Sequence, residues 1–132
     1  MASEPIFHRF AGAREVDLPF SQAVEAGGFV FLAGHVPNDP PNDGRPLPDD
    51  IEGQTRLVME NLAFVLTPLD LDFSHFVATR IFLTHFARDF DRMNAVYRSY
   101  FSKDRLPART CVGVTALASG ARIEIDAIAR RP

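Results

Sequence analysis

The sequence predicts an α+β fold in which two helices pack on one face of a mixed sheet, and three observations lead there. Two runs near the C-terminus, residues 106–114 and 123–129, alternate side chains with period 2, as half-buried strands do. Two other segments, residues 50–66 and 89–101, repeat apolar residues at 3- and 4-residue steps, as amphipathic helices do. The remaining apolar runs are short and bounded by Gly, Pro or Asp, so they read as strands. The resulting order, β-β-β-α-β-α-β-β, separates helices by strands and favours one layer of each.

Each element has a local cause. Residues 6–11 make a first strand, and a loop with Asp17, Leu18 and Pro19 leads to residues 20–26. Gly27-Gly28 supplies a tight turn into residues 29–36, an almost wholly apolar run expected to be covered on both faces. Residues 37–50 hold five prolines, Gly44 and several Asn and Asp, which makes a long loop. Asp49 or Asp50 caps the first helix, whose stripe is Ile51, Val58, Leu62, Val65 and Leu66, and Pro68 stops it. Phe76–Leu83 is rich in aromatic and β-branched residues and reads as a strand. Asp89 is expected to cap the second helix, with Phe90, Met93, Tyr97 and Tyr100 or Phe101 buried. Pro107 sets the entry to the next strand, and Ala118-Ser119-Gly120 suits a hairpin-like connection into the last.

Composition narrows the function classes. A chain of 132 residues, 46% hydrophobic and 23% charged, suits one ordinary globular domain spanning residues 1–132. A net charge of −3 with a single lysine argues against general nucleic-acid binding. One cysteine makes no internal disulfide, and no apolar run approaches the roughly 20 residues of a membrane span. The N-terminal residues lack the layout of a signal peptide, so a cytoplasmic location is expected. His8, His35, His75 and His85 show no metal-ligand spacing, and no metal is expected.

Chemistry concentrates on the last two strands. Arg109 and Cys111 share one face of the first, and Glu124 interrupts a run of Ile and Ala on the second. A guanidinium and a carboxylate on core-forming strands must be paired, hydrated or used on a ligand. Arg109 therefore either grips a carboxylate with its planar fork or pairs with Glu124 or Asp126 across the hairpin. Glu124 pairs with Arg109 or, unless a cation sits close, binds its proton more tightly through desolvation and handles protons near neutral pH, two uses that do not exclude each other. Asp126 suits a solvated or subunit-facing charge. Cys111 has no histidine placed as its partner and reads as a pocket-lining thiol rather than a nucleophile. Phe29, Phe31, Val112 and Val114 are too apolar for an open sheet face in water, which predicts self-association.

Pro107-Ala108-Arg109-Thr110-Cys111-Val112 and Ile123-Glu124-Ile125-Asp126-Ala127-Ile128-Ala129 resemble the signature of the RidA/YjgF family, small trimeric imine deaminases also called endoribonuclease L-PSP. That signature is P-A-R-S-x-V, then V-E-I-E-A-I-A. The likeness extends to Phe20-Ser21-Gln22-Ala23-Val24 against Y-S-Q-A-V and to residues 32–40 against S-G-Q-I-P-x-D-P. It continues in Gln54-Thr55 with Asn61-Leu62, and in Phe90, Asn94, Tyr97 and Phe101 of the second helix. Five motifs in order, each weak alone, cover nearly the whole chain.

The resemblance implies a chorismate-mutase-like fold, a homotrimer around a barrel-like centre, and active sites in clefts between subunits. It implies hydrolysis of 2-imino or enamine acids to 2-keto acids and ammonia without a cofactor, the 2-iminobutanoate/2-iminopropanoate deaminase reaction. Arg109 would hold the substrate carboxylate and Glu124 would position water. Asn94 would define the cleft rim, or be an exposed polar residue; Gly34 would let backbone approach the ligand, or mark a bulge. Phe20 replaces the pattern's tyrosine, Ala33 its serine and His35 its glutamine, which leaves a more apolar wall suited to a bulkier substrate tail. Two alternatives stand beside this reading: a pathway-specific deaminase of an aminomuconate-type substrate, and a non-catalytic or chaperone-like trimer binding small carboxylates. Ribonuclease activity, attached to some members of the family, conflicts with the acidic balance of the chain.

Overall fold

The computed structural model describes residues 3–9 and 18–132. The elements run β1 (Ile6–His8), β2 (Ala23–Ala26), β3 (Phe29–His35), α1 (Ile51–Leu66), β4 (Phe76–Leu83), α2 (Phe86–Arg98), β5 (Ala108–Gly113) and β6 (Ile123–Arg130). This is the predicted order. Phe10, Ala11 and Asp17, expected at the end of the first strand and in the following loop, lie outside the described residues.

The six strands form one sheet in the order β1-β2-β3-β6-β4-β5, and both helices cover the same face. Gly27 and Gly28, with φ of 58° and 84°, make the β2–β3 turn in the left-handed conformations that a tight hairpin requires. The core consists of alternate residues of β3 and β6, Val30, Leu32, Ile123, Ile125, Ala127 and Ala129, under Val58, Leu62 and Val65 of α1 and Met93 of α2. Asp50 caps α1 by accepting the Gly53 N–H at 2.6 Å.

Three expectations need correction. The last two strands do not form a hairpin. β5 pairs in parallel with β4, while β6 lies antiparallel between β3 and β4. A compact turn at Ala118–Gly120, with Ser119 and Gly120 at positive φ, redirects the chain past β4. Asp89 does not cap α2, which begins at Phe86 after His85; Asp89 lies inside the helix with no exposed surface. Its carboxylate is consumed by arginines, accepting from Arg88 Nε at 2.9 Å and Arg122 Nη2 at 2.9 Å. Finally, β3 is covered on one face only within a chain, since Phe29 and Phe31 remain 39% and 44% exposed.

The C-terminus is stapled to the β1–β2 edge. Arg131 donates to both oxygens of Glu25, Nε to Oε1 at 2.7 Å and Nη2 to Oε2 at 2.9 Å, and His8 Nε2 lies 2.7 Å from Oε2. The Arg131 bonds, aided by His8 and opposed by burial, hold the Glu25 carboxyl at about 2. Because this folded value is below the unfolded one of 4.5, the stabilisation is complete above pH 4.5 and fades as pH falls toward 2. Glu25→Gln is expected to cost about 1–2 kcal/mol near pH 6, allowing for solvent screening, and progressively less toward pH 2. Urea denaturation of both proteins across that range checks it; a difference independent of pH contradicts it.

Candidate functional site

Arg109 stands on β5 beside Thr79 of β4, on the helix-covered side of the sheet. Its guanidinium meets one face of α2, where Phe90, Asn94 and Tyr97 fall at helical 3- and 4-residue spacing. Nη1 donates to Asn94 Oδ1 at 2.7 Å, and the guanidinium carbon lies 5.2 Å from the Tyr97 ring centroid and 5.8 Å from that of Phe90. Each ring is itself held: the Tyr97 hydroxyl shares a buried 2.7 Å hydrogen bond with Thr79 Oγ1, and Phe90 stacks on Phe86 at 4.7 Å. Among the described residues no carboxylate pairs with Arg109. The ion pair across the last two strands, one of its two expected uses, is absent because those strands are not neighbours.

Cys111 follows Arg109 on the same face and is half-buried against the core. Burial pushes its thiol up, against a smaller opposing pull from the Arg109 guanidinium, so it stays protonated near neutral pH.

Glu124 points to the opposite, open face of the sheet, next to β3. A Cβ placed on Gly34 would collide with its Oε2, so the absence of a side chain there is what gives the carboxylate its room. The register between β3 and β6 also shifts between Leu32 and His35, so the bulge anticipated as the alternative for Gly34 is present as well. Desolvation raises the Glu124 pKa above the usual carboxylate range, and the negative charges of Asp126 and Asp39 add to the effect. Asp126 itself is gripped by Arg80, which donates through Nε at 3.0 Å and Nη2 at 2.7 Å. No cation remains for Glu124 among the described ion pairs.

The predicted site residues thus fall into two groups. Phe20, Ala33, Gly34 and Glu124 line one cleft of about 370 Å³, together with Leu18, Val36, Asp39 and Ser119. Asn94, Arg109 and Cys111 gather on the other side of the chain, and Arg109 borders a second cleft of about 380 Å³ with Phe31, Arg80 and Asp126. Reading the sequence missed Asp39, which looked like a turn residue, and the Phe90 and Tyr97 rings around Arg109, which looked only like core. Their shared helical spacing with Asn94 was the available signal. Among the described residues no cluster of three or more His, Cys, Asp or Glu is placed to hold a metal ion. No helix among them is long and apolar enough to cross a membrane.

Comparison with known proteins adds an independent observation. A family profile described as Endoribonuclease L-PSP matches residues 12–131. The protein DfrA of Myxococcus xanthus is 48% identical over 113 residues, covering 84% of each chain. A 2-iminobutanoate/2-iminopropanoate deaminase of mouse is 35% identical over 111 residues, covering 84% of this chain and 80% of the mouse protein. Among solved structures, a Rid-family protein of unknown function from Yersinia pestis superimposes with a TM-score of 0.85 at 33% identity, covering 96% of this chain and 99% of that one.

Proposed function

Because this chain belongs to the RidA/YjgF (endoribonuclease L-PSP) family, we propose that it is a cofactor-free hydrolase converting 2-imino or enamine acids to 2-keto acids and ammonia. The observation that carries this reading is Arg109: a guanidinium oriented by Asn94 and two rings, with no carboxylate of its own among the described residues. Such a group is ready to take the carboxylate of a small ligand in bidentate fashion. The name of the mouse relative supports the same substrate class.

Arg109 and Glu124 border different clefts of one chain, so in the proposed enzyme they meet across subunits. In a homotrimer, the Arg109 side of one copy faces the Glu124 cleft of the next. The apolar open face with Phe29, Phe31 and Val112 is then covered by neighbouring copies. Arg109 fixes the substrate carboxylate and places C2 against a water on Glu124. As the water oxygen bonds to C2, Glu124 takes its proton and passes it to the imine nitrogen, giving a carbinolamine. The hydroxyl proton then moves through Glu124 to nitrogen, the C–N bond breaks, and ammonia leaves a 2-keto acid. A carboxylate whose pKa is raised by desolvation holds and returns a proton more readily than an ordinary one, which suits both transfers. The imine carbon is already electrophilic, so delivery of water suffices.

The test is ammonia and keto-acid release from imines generated in situ by an amino-acid oxidase, over a panel with small and bulky tails. Acceleration above buffer is expected, with Glu124→Gln lowering kcat by roughly 10²-fold. Because Phe20 and Ala33 contribute no hydroxyl to the cleft, ligand binding without ammonia release would instead favour a binding protein for small carboxylates.

A further inference from the structure

His35 is buried at the end of β3, 5% exposed, and neither ring nitrogen has a hydrogen-bond partner among the described residues. An imidazole is seldom buried with both nitrogens idle, so its surroundings say what it can do. Ile125 of β6 stands opposite it in the sheet, and Asn61 of α1 spends its amide on the carbonyls of the next two residues, Val36 and Pro37. The titratable group that faces it is Asp39, with Oδ2 at 3.7 Å from Nδ1. Asp39 cannot swing away freely. Its N–H donates to the Val36 carbonyl at 3.2 Å, and its Oδ2 accepts the Val36 N–H at 2.9 Å. The same Asp39 lines the cleft of Glu124.

We propose that His35 is a positioning residue for proton handling in this cleft, setting through Asp39 the negative charge that Glu124 faces. It deepens the proposed function, resting on Glu124 as the proton-handling carboxylate. With a neutral His35, the charge on Asp39 is uncompensated and Glu124 holds its proton more tightly. When His35 takes a proton, it neutralises Asp39 at 3.7 Å and Glu124 releases its proton more readily. The other charges near Glu124 leave this arrangement in place: Asp126 on β6 is engaged by Arg80 of β4. Burial lowers the His35 pKa, partly countered by Asp39, while desolvation and the charges of Asp126 and Asp39 raise that of Glu124. Each then competes with the other for a proton.

Titration of the glutamate carboxyl carbons by ¹³C NMR, with Glu124 assigned from Glu124→Gln, tests this without reference to turnover. In His35→Gln, which puts in place the glutamine of the family pattern, Glu124 is expected to titrate at higher pH because the competing cation is gone. Its protonated fraction at the wild-type midpoint should rise from half to about two thirds or more, the result of at least a doubling of proton affinity. In Asp39→Asn, which keeps an acceptor for the Val36 N–H, Glu124 should titrate at lower pH. A purely structural role would not move the two variants in opposite directions. The reciprocal measurement keeps His35: its imidazole titration should move to lower pH in Glu124→Gln. An unshifted His35→Gln curve with an unshifted imidazole curve in Glu124→Gln overturns the proposal. Opposite shifts without any ammonia release would sustain it while removing the deaminase reading.

Discussion

Arg109→Ala is expected to lower kcat/KM for 2-imino acid hydrolysis by roughly 10²–10³-fold, since in the proposed mechanism the carboxylate grip and the alignment of C2 both depend on that fork. The fold should survive the change. Arg109 is exposed, and its hydrogen-bond partner Asn94 sits at the surface end of its contact, so no buried charge is left unpaired. Tyr97 keeps its hydroxyl bond to Thr79 whether or not the guanidinium covers its ring. Arg109→Lys should recover little, because an ammonium is a point charge without the planar, two-pronged geometry. Steady-state kinetics beside thermal melts of the three proteins checks this. An alanine variant as fast as wild type would mean that the carboxylate is held elsewhere.

Asp89→Ala is expected to destabilise the chain by about 3–5 kcal/mol, the usual cost of breaking a buried ion pair from one side. Asp89 is wholly buried and joins three elements. It accepts from Arg122 at the start of β6, whose backbone N–H donates to Gln54 of α1 at 2.9 Å and whose guanidinium also reaches the Asp49 carbonyl. Removing the carboxylate strands Arg122, whose side chain is only 19% exposed, between the N-terminal ends of both helices. Burial acts to raise the Asp89 pKa, but the bonds from Arg88 and Arg122 outweigh it and hold the group below its usual value. The folded value is depressed, so this stabilisation is present above the unfolded carboxylate pKa and is lost as pH falls through the folded one. Chemical denaturation at pH 7 should show a lower midpoint with an unchanged slope. A change within about 0.5 kcal/mol, typical of surface sites, would contradict the assignment.

Much of this was legible residue by residue. Val58, Leu62 and Val65 announce the buried stripe of α1, and Asp50 announces its cap, because both depend on neighbours within one or two turns. Gly27-Gly28 announces its turn for the same reason. Asp89 misled, since an acidic residue before an apolar stripe looks the same whether it caps a helix or meets an arginine 33 residues away. The pairings at the candidate site were not legible. The sequence allows Arg109 to pair with Glu124, whereas the structure gives it Asn94.

Local periodicity, by itself, determined the α+β class and the order of its eight main elements, because a strand or an amphipathic helix writes its own pattern along the chain. Only the tertiary structure decided that β6 inserts between β3 and β4 while β5 moves to the edge, since pairing partners are chosen among distant segments with similar patterns. That one choice sends Glu124 to Gly34 and Asp39, and Arg109 to the rings of α2. Two charged residues 15 positions apart are thereby kept from neutralising each other.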